Sequence, residues 1–350
     1  MTIRVAICED SASYAHGLRR LLEVGGELEV VTVAATAEAL LRELSGLAPD
    51  LVTMDLELPG IDGAEAVRRI MRDRPTPIVV LSAHAGRSGW HVADALAAGA
   101  LEAISKGDVN LADEDGATAT ALRRRLVRLA GHRREATASP VDRRSATVSI
   151  DRVAAPLPTA PTLRADTIGI VSSTGGPGAL RTILKVLPAA FPLPVLVVQH
   201  IGEGFTEGLV HWLQQVLDVP VRLARDGERV GRGVVVAPSG QHLLLGPDRR
   251  LHLDGIGHPG PYRPSGDVLL SSIASAVGPR GLGVVLTGMG RDGAEGVADL
   301  VRLGGSAWAE PPGDAAVWGM PAAAVHAGAT PRALAAIGAG LVALAARRAP

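Results

Sequence analysis

The chain has 350 residues, a length that predicts about two or three domains. Hydrophobic residues make up 47% of it and charged residues 20%, which favours folded globular domains over general disorder. The formal net charge of -1 excludes a strongly basic surface, so we expect no nucleic-acid partner. The single cysteine, Cys8, excludes an internal disulfide framework and is typical of a reducing compartment.

No segment reaches the roughly 20 consecutive apolar residues that a membrane-spanning helix needs. The first residues enter a strand-like run directly, without the pattern of a secretion signal. We therefore expect a cytoplasmic protein that is not inserted into a membrane.

Short apolar runs alternate with amphipathic stretches over residues 1–130, as in a parallel sheet covered by helices. The predicted strands are Ile3–Ile7, Leu28–Ala34, Leu51–Met54, Ile78–Leu81 and Leu101–Ile104. The predicted helices are Ala12–Val24, Ala37–Leu44, Gly63–Met71, Trp90–Ala98 and Leu122–Leu129. This α/β pattern indicates a five-stranded doubly wound domain.

Residues 131–165 interrupt the alternation with arginine pairs and several prolines, so they predict a flexible linker. The arginines would also suit an acidic partner. In a linker, however, we expect their charges to be exposed to solvent and to bind no partner. Residues 166–350 return to an α/β pattern. Its predicted strands are Thr167–Val171, Val195–Val198, Val234–Ala237, Val284–Leu286 and Ser306–Ala309. The sequence therefore predicts two doubly wound parallel-sheet domains joined by a linker.

Polar side chains follow four of the five strands predicted in the first domain. They are Glu9, Asp10, Asp55, Ser82 and Lys106. Because the carboxyl ends of parallel strands meet at one edge of a sheet, we expect these groups to converge. Clustered carboxylates suit Mg²⁺, and a carboxylate in such a site can attack phosphorus to form an acyl phosphate. Each residue alone fits a helix cap or a turn, but the five together predict a phosphorylation site.

These residues lie in segments that resemble response-regulator receiver domains, and the resemblance covers about the first 130 residues. It implies a flavodoxin-like fold in which a histidine kinase phosphorylates Asp55. It also implies that Glu9 and Asp10 hold Mg²⁺ together with Asp55, and that Ser82 and Lys106 contact the phosphoryl oxygens. Receivers usually place proline after this lysine, where the chain has glycine.

A glycine-rich turn from Ser172 to Gly178 joins the first strand of the second domain to a helix. A helix N-terminus favours negative charge, so the turn fits either a pyrophosphate or a nucleophile beside an oxyanion hole. A dinucleotide site would place an acidic residue after the next strand, but His200 stands there. A histidine is the general base that a serine such as Ser173 needs.

Asp292 follows a third strand and would orient His200. Alone, Ser173 fits a helix cap, His200 a core histidine and Asp292 a turn residue, but together they predict a catalytic triad. The order Ser, His, Asp and the absence of a G-x-S-x-G motif distinguish the domain from α/β-hydrolases. The other histidines, including His211 and His242, lack a comparable setting and are predicted to be structural.

From about residue 167 onward the chain is similar to the catalytic domain of chemotaxis-type protein-glutamate methylesterases. The matching segments are Ser173–Pro177, Gln199–Ile201, Leu286–Gly293 and Trp318–Pro321. The similarity implies a Rossmann-like serine hydrolase with Ser173 as nucleophile, His200 as general base and Asp292 as its partner. Two departures are Val171-Ser172, where the family usually has Gly-Ala, and Tyr262, where a histidine is common.

The similarity further implies hydrolysis of glutamate γ-methyl esters on the cytoplasmic helices of chemoreceptors, and deamidation of receptor glutamines, without a cofactor for the ester chemistry. Backbone N–H groups of Thr174, Gly175 and Gly176, with Met289, would stabilise the oxyanion, and Tyr262 would support the substrate. The receiver would fold back over the hydrolase until phosphorylation weakens its docking. The alternatives are a non-enzymatic, phosphorylation-regulated adaptor and, more distantly, a dinucleotide-binding enzyme.

Overall fold

The computed structural model describes residues 2–83, 89–137, 164–258 and 260–346. The first domain contains a five-stranded parallel sheet with the strand order β2-β1-β3-β4-β5. The strands are β1 Ile3–Cys8, β2 Leu28–Ala34, β3 Leu51–Asp55, β4 Ile78–Ser82 and β5 Glu102–Ser105. The helices are α1 Ala12–Glu23, α2 Ala37–Leu47, α3 Gly63–Asp73, α4 Trp90–Ala97 and α5 Ala117–Thr137. The predicted doubly wound fold is confirmed.

The strands of this sheet are apolar because helices cover both faces. Every residue of β3 and β4 is buried, as expected for central parallel strands. Three helices begin at side chains that accept a hydrogen bond from the backbone of the first turn, namely Ser11, Thr36 and Asp62. None of the described helices is long and apolar enough to cross a lipid bilayer.

Helix α5 continues to Thr137, past the domain end predicted at residue 130. Residues 138–163 of the predicted linker lie outside the described residues. The linker and its boundaries therefore stay predictions.

The second domain contains a seven-stranded parallel sheet and a separate antiparallel hairpin. The sheet strands, from one edge to the other, are β14 Thr330–Pro331, β13 Ser306–Ala309, β12 Gly281–Val285, β6 Thr167–Ser172, β7 Pro194–Gln199, β9 Gly233–Val236 and β8 Val221–Leu223. The hairpin consists of β10 His242–Leu245 and β11 Leu251–Asp254. The helices are α6 Gly176–Leu184, α7 Thr206–Val216, α8 Gly266–Val277, α9 Ala294–Arg302, α10 Met320–His326 and α11 Leu334–Ala346.

The order of strands in this sheet positions the active-site candidates. Strand β6 lies between β12 and β7, so the carboxyl ends of these three strands are neighbours. The chain passes from β6 to β7 on one side and only later adds β12 on the other side of β6, which opens a crevice beyond the strand ends. The sequence analysis predicted five strands here but missed the hairpin and the short edge strands β8 and β14.

The two domains contact each other through α4, which packs against α6 and α7. Phe205, just before α7, is fully buried in a cluster formed mainly by side chains of the first domain. Gly208 in α7 lies against the backbone of Gly89, and a Cβ atom at Gly208 would meet the Gly89 carbonyl carbon at 2.3 Å. Close docking of the domains therefore requires glycine at this position.

Candidate active site and phosphorylation site

The polar strand exits of the first domain lie together, as predicted. Ligand atoms of Glu9, Asp10 and Asp55 are all within 4.8 Å of one another. Lys106 Nζ donates to Asp55 Oδ2 at 2.6 Å and to Glu9 Oε1 at 3.0 Å. Burial opposes the charge of Lys106, but these hydrogen bonds outweigh burial and raise its pKa. Ser82 is buried at the end of the neighbouring strand β4.

The carboxylates of this cluster fit Mg²⁺. Burial raises the pKa of Glu9, and the nearby charge of Asp55 adds to the effect, while the bond to Lys106 opposes it. A divalent cation would favour the charged forms of all three carboxylates, and oxygen ligands are the ones that Mg²⁺ prefers. The same cation would bind phosphoryl oxygens next to Asp55.

Ser173 lies in a tight turn where β6 becomes α6. Its N–H donates to the carbonyl of Thr287 at 3.0 Å, and its own carbonyl accepts from Gly176 N at 2.8 Å. Gly175 has a φ of 76°, in the left-handed region that favours glycine. At Gly176 a Cβ atom would meet Gln199 Oε1 at 2.1 Å. The glycines allow the sharp turn that carries Ser173 at a strand end.

His200 and Asp292 form a hydrogen bond between Nε2 and Oδ2 at 2.7 Å. The other ring nitrogen, Nδ1, is buried and has no hydrogen-bond partner within the described parts of the chain. Ser173 and His200 line one cavity of about 420 Å³. Because Asp292 occupies Nε2, Nδ1 is the ring nitrogen left to accept a proton, and Ser173 Oγ does not hydrogen-bond to it within the described residues.

Asp292 is held by the N-terminus of α8. It accepts hydrogen bonds from Ser265 Oγ at 2.7 Å, Gly266 N at 2.5 Å and Asp267 N at 3.0 Å. Burial alone would raise the pKa of Asp292, but its bonds to His200 and to these backbone amides outweigh burial and lower it to about 2. Asp292 is thus charged at neutral pH and fixed in orientation.

Tyr262 covers the imidazole of His200. The two rings are stacked with centroids 4.5 Å apart and an interplanar angle of 3°. The Tyr262 hydroxyl also lies next to Gly290, where a Cβ atom would meet it at 2.8 Å. Stacking restricts the rotation of His200, so Tyr262 supports the ring rather than donating to it.

Of the four residues predicted to form the oxyanion hole, Thr174 and Met289 line the same cavity as Ser173, and the four differ in their hydrogen-bond partners. Gly176 N is engaged within the turn, and Gly175 N donates to the carbonyl of Leu101 in the first domain at 3.3 Å. The backbone N–H groups of Thr174 and Met289 form no hydrogen bond to any described residue. These two N–H groups are therefore the free donors of the set.

Gln199, for which no role was predicted, connects the turn that carries Ser173 to the strand end that carries His200. Its side-chain amide donates to the carbonyls of Ser173 and His200, both at 2.8 Å. Ser172 is fully buried and donates to Gln199 Oε1 at 2.6 Å. Of the two adjacent serines, Ser172 therefore belongs to the core and Ser173 to the cavity. The sequence offers one indication of this role, because Gln199 directly precedes His200.

Comparison with known proteins is consistent with both sites. The CheB methylesterase family matches residues 168–339, and the response regulator receiver domain matches residues 5–114. "Protein-glutamate methylesterase/protein-glutamine glutaminase 3" of Myxococcus xanthus is 42% identical over 330 residues, which cover 94% of this chain and 89% of that protein. The chain belongs to this methylesterase family.

A protein of the same name from Anaeromyxobacter dehalogenans is 41% identical over 334 residues, covering 93% of this chain and 94% of that protein. The crystal structure of the Thermotoga maritima CheB methylesterase catalytic domain is 35% identical, covers 51% of this chain and 98% of that chain, and has a TM-score of 0.49. The family predicted from the sequence is confirmed.

Thr287 connects the turn that carries Ser173 to a buried acid. Its hydroxyl donates to the carbonyl of Thr174 at 2.9 Å, and its N–H donates to Glu310 Oε2 at 2.7 Å. Glu310 is 1% exposed, and no basic side chain of the described residues forms an ion pair with it. Burial raises the pKa of Glu310 to about 7, and the charge of Asp314 adds to this effect.

Glu310→Gln should stabilise the methylesterase domain at pH 8 and have a much smaller effect, below about 1 kcal/mol, at pH 5. The pKa of Glu310, about 7 in the folded protein against an ordinary 4.5, means that folding retains a proton between these pH values. The stability associated with this proton is complete below pH 4.5 and lost as the pH rises through 7. At pH 8 the free energy of unfolding of the variant should exceed that of wild type by on the order of 3 kcal/mol.

Urea unfolding of wild type and Glu310→Gln at the two pH values measures this difference. Glu295→Gln, which neutralises an exposed carboxylate, is the control. An equal effect of Glu310→Gln at pH 5 and pH 8 would contradict the assignment of a protonated buried acid.

Proposed function

We propose that this chain is a phosphorylation-activated protein-glutamate methylesterase that demethylates glutamate γ-methyl esters on the cytoplasmic helices of chemoreceptors. The observation that carries the proposal is the hydrogen bond of Asp292 to His200, which lines the same cavity as Ser173. The names of the related proteins support the ester substrate. A cytoplasmic location follows from this substrate.

The chemistry follows from the triad. Ser173 Oγ loses its proton to His200 Nδ1 and attacks the ester carbonyl carbon, while Asp292 stabilises the imidazolium. The N–H groups of Thr174 and Met289 donate to the oxyanion. His200 then protonates the departing methoxide, methanol leaves, and a water activated by His200 hydrolyses the acyl-enzyme to the glutamate carboxylate.

The same residues support deamidation of receptor glutamines. An amide passes through the same tetrahedral intermediate, and ammonia leaves in place of methanol. The related proteins carry the second name protein-glutamine glutaminase. Glutaminase activity is therefore part of the proposal.

In the receiver domain, a histidine kinase would donate the phosphoryl group to Asp55. Mg²⁺ held by Glu9, Asp10 and Asp55 would neutralise the charge of the incoming group. Lys106, already bonded to Asp55, would then bind a phosphoryl oxygen, and Ser82 would bind another.

Docking of the receiver explains how phosphorylation would control the esterase. The cavity that contains Ser173 is also lined by Leu101, Arg125 and Arg128 of the receiver. A receptor helix, about 10 Å across with its side chains, does not fit into a cavity of about 420 Å³ that receiver side chains also line. Movement of Lys106 towards a phosphoryl group would disturb β5 and weaken docking.

The two alternatives have less support. A non-enzymatic adaptor would not need a serine turn, a histidine and a buried carboxylate held at three neighbouring strand exits. A dinucleotide enzyme would need an acidic residue at the end of β7, and His200 takes that position and bonds to Asp292.

Ser173→Ala should lower methanol release by roughly 10⁴-fold or more, because it removes the nucleophile. Ser172→Ala should cost less than about tenfold, since it removes only a buried hydrogen bond to Gln199. Both rates are measured on radiomethylated receptor membranes with a phosphodonor. Similar losses in the two variants would refute the assignment of Ser173.

Asp55→Asn should keep the low basal rate when a small acyl phosphate is added, because the amide cannot accept the phosphoryl group. Wild type should gain activity under the same conditions, and removal of Mg²⁺ by chelation should abolish that gain. Activation of Asp55→Asn by the phosphodonor would exclude Asp55 as the regulatory site.

Gly208→Ala should raise the basal rate without a phosphodonor. Its methyl group would clash with the backbone of Gly89 and separate the domains. We expect a gain of roughly tenfold, within the usual range of coupling between sites. Gly178→Ala is the matched control, because its methyl group would meet Ala97 of the receiver at an ordinary 3.6 Å. Equal rates for both variants would argue against inhibition by docking.

A further inference from the structure

His242 lies at the start of β10 and is 1% exposed. Its Nδ1 accepts a hydrogen bond from the backbone N–H of Ser265 at 3.2 Å, and its Nε2 bonds to the carbonyl of His258 at 3.2 Å. A backbone N–H only donates and a carbonyl only accepts. The two contacts therefore require a neutral imidazole with its proton on Nε2.

Ser265 connects this histidine to the triad. It precedes α8, and its hydroxyl donates to Asp292 Oδ1 at 2.7 Å. The next two backbone amides, of Gly266 and Asp267, also donate to Asp292. The contact with His242 therefore fixes the backbone at the start of the segment that holds Asp292.

We propose that His242 is a positioning residue for the hydrolysis, holding Ser265 and the N-terminus of α8 so that Asp292 aligns His200. The proposal rests on the function proposed above. His242 touches neither substrate nor reacting atoms, so its effect passes through Asp292.

The charges around His242 favour its neutral form. Burial lowers the pKa of His242, and the positive charges of Arg263 and His258 lower it further. The bond to the His258 carbonyl and the charge of Asp254, which bonds to His258 Nδ1, act in the opposite direction. Because the folded protein disfavours protonation, stability from this group is present above about pH 6.5 and is lost as the pH falls below it.

Two polar substitutions separate the contacts of the ring. His242→Asn keeps an acceptor near the position of Nδ1 and loses the contact with His258. His242→Gln keeps a donor near the position of Nε2 and loses the acceptor for Ser265 N. If His242 acts through Ser265, only the glutamine variant should lose activity. If the ring only anchors the hairpin through His258, the asparagine variant should lose more.

The test uses the full chain with a phosphodonor on methylated receptor membranes. His242→Gln should lower kcat by up to about 100-fold, the effect expected of a small misplacement near the reacting groups, with KM changed less than about twofold. His242→Asn should retain most of the wild-type kcat. Equal losses in the two variants, or a larger loss in His242→Asn, would overturn the proposal.

A second readout does not depend on the substrate. The downfield proton resonance of the hydrogen bond between His200 and Asp292, assigned by its absence in Asp292→Asn, should shift or broaden in His242→Gln and persist in His242→Asn. An unchanged resonance in a folded His242→Gln would also overturn the proposal. If wild type released no methanol, the proposed function would fail, while the resonance would still decide the role of His242.

Discussion

The buried carboxylate of Asp292 is the constraint on which the rest of the active site depends. A charge away from water is stable only when hydrogen bonds replace its hydration. The first turn of α8 provides three donors, and its dipole adds to their effect. His200 provides the fourth hydrogen bond. The ends of β12 and β7 and the start of α8 must therefore keep their relative positions, and the packing around them serves that need.

The receiver meets the same physical problem with a different solution. Glu9, Asp10 and Asp55 also collect at strand ends, but a single flexible side chain, Lys106, compensates two of them. A lysine can change partners, and a cation can enter or leave, whereas backbone amides at a helix end cannot. The carboxylate of Asp292 is thus suited to a permanent orientation, and the cluster around Asp55 is suited to a switch.

Residues that directly follow a strand could be predicted from the sequence, because parallel strand ends converge whatever the side chains around them do. Four site residues were predicted in this way, namely Ser173, His200, Asp292 and Asp55, and their roles in catalysis and phosphorylation stay predictions. Ser265 and His242 acquire their proposed roles from a contact between residues 23 positions apart, and His242 lies in a hairpin whose short strands lack a clear sequence pattern. The role of Gly208 could not be predicted either, because the sequence of a helix does not show which backbone packs against its glycine.

Strand β5 connects the two sites directly. Leu101 precedes it and accepts from Gly175 in the nucleophile turn, while Lys106 follows it and bonds to Asp55. One neutral hydrogen bond of this kind contributes only about 1 kcal/mol, so docking must depend mainly on apolar burial around Phe205.

A tether keeps the domains at high effective concentration, which makes a weak interface sufficient. A weak interface is also easily changed, because a loss of about 1.4 kcal/mol shifts the docking equilibrium tenfold. In the proposed mechanism, rearrangement of Lys106 therefore controls access to Ser173 in the other domain.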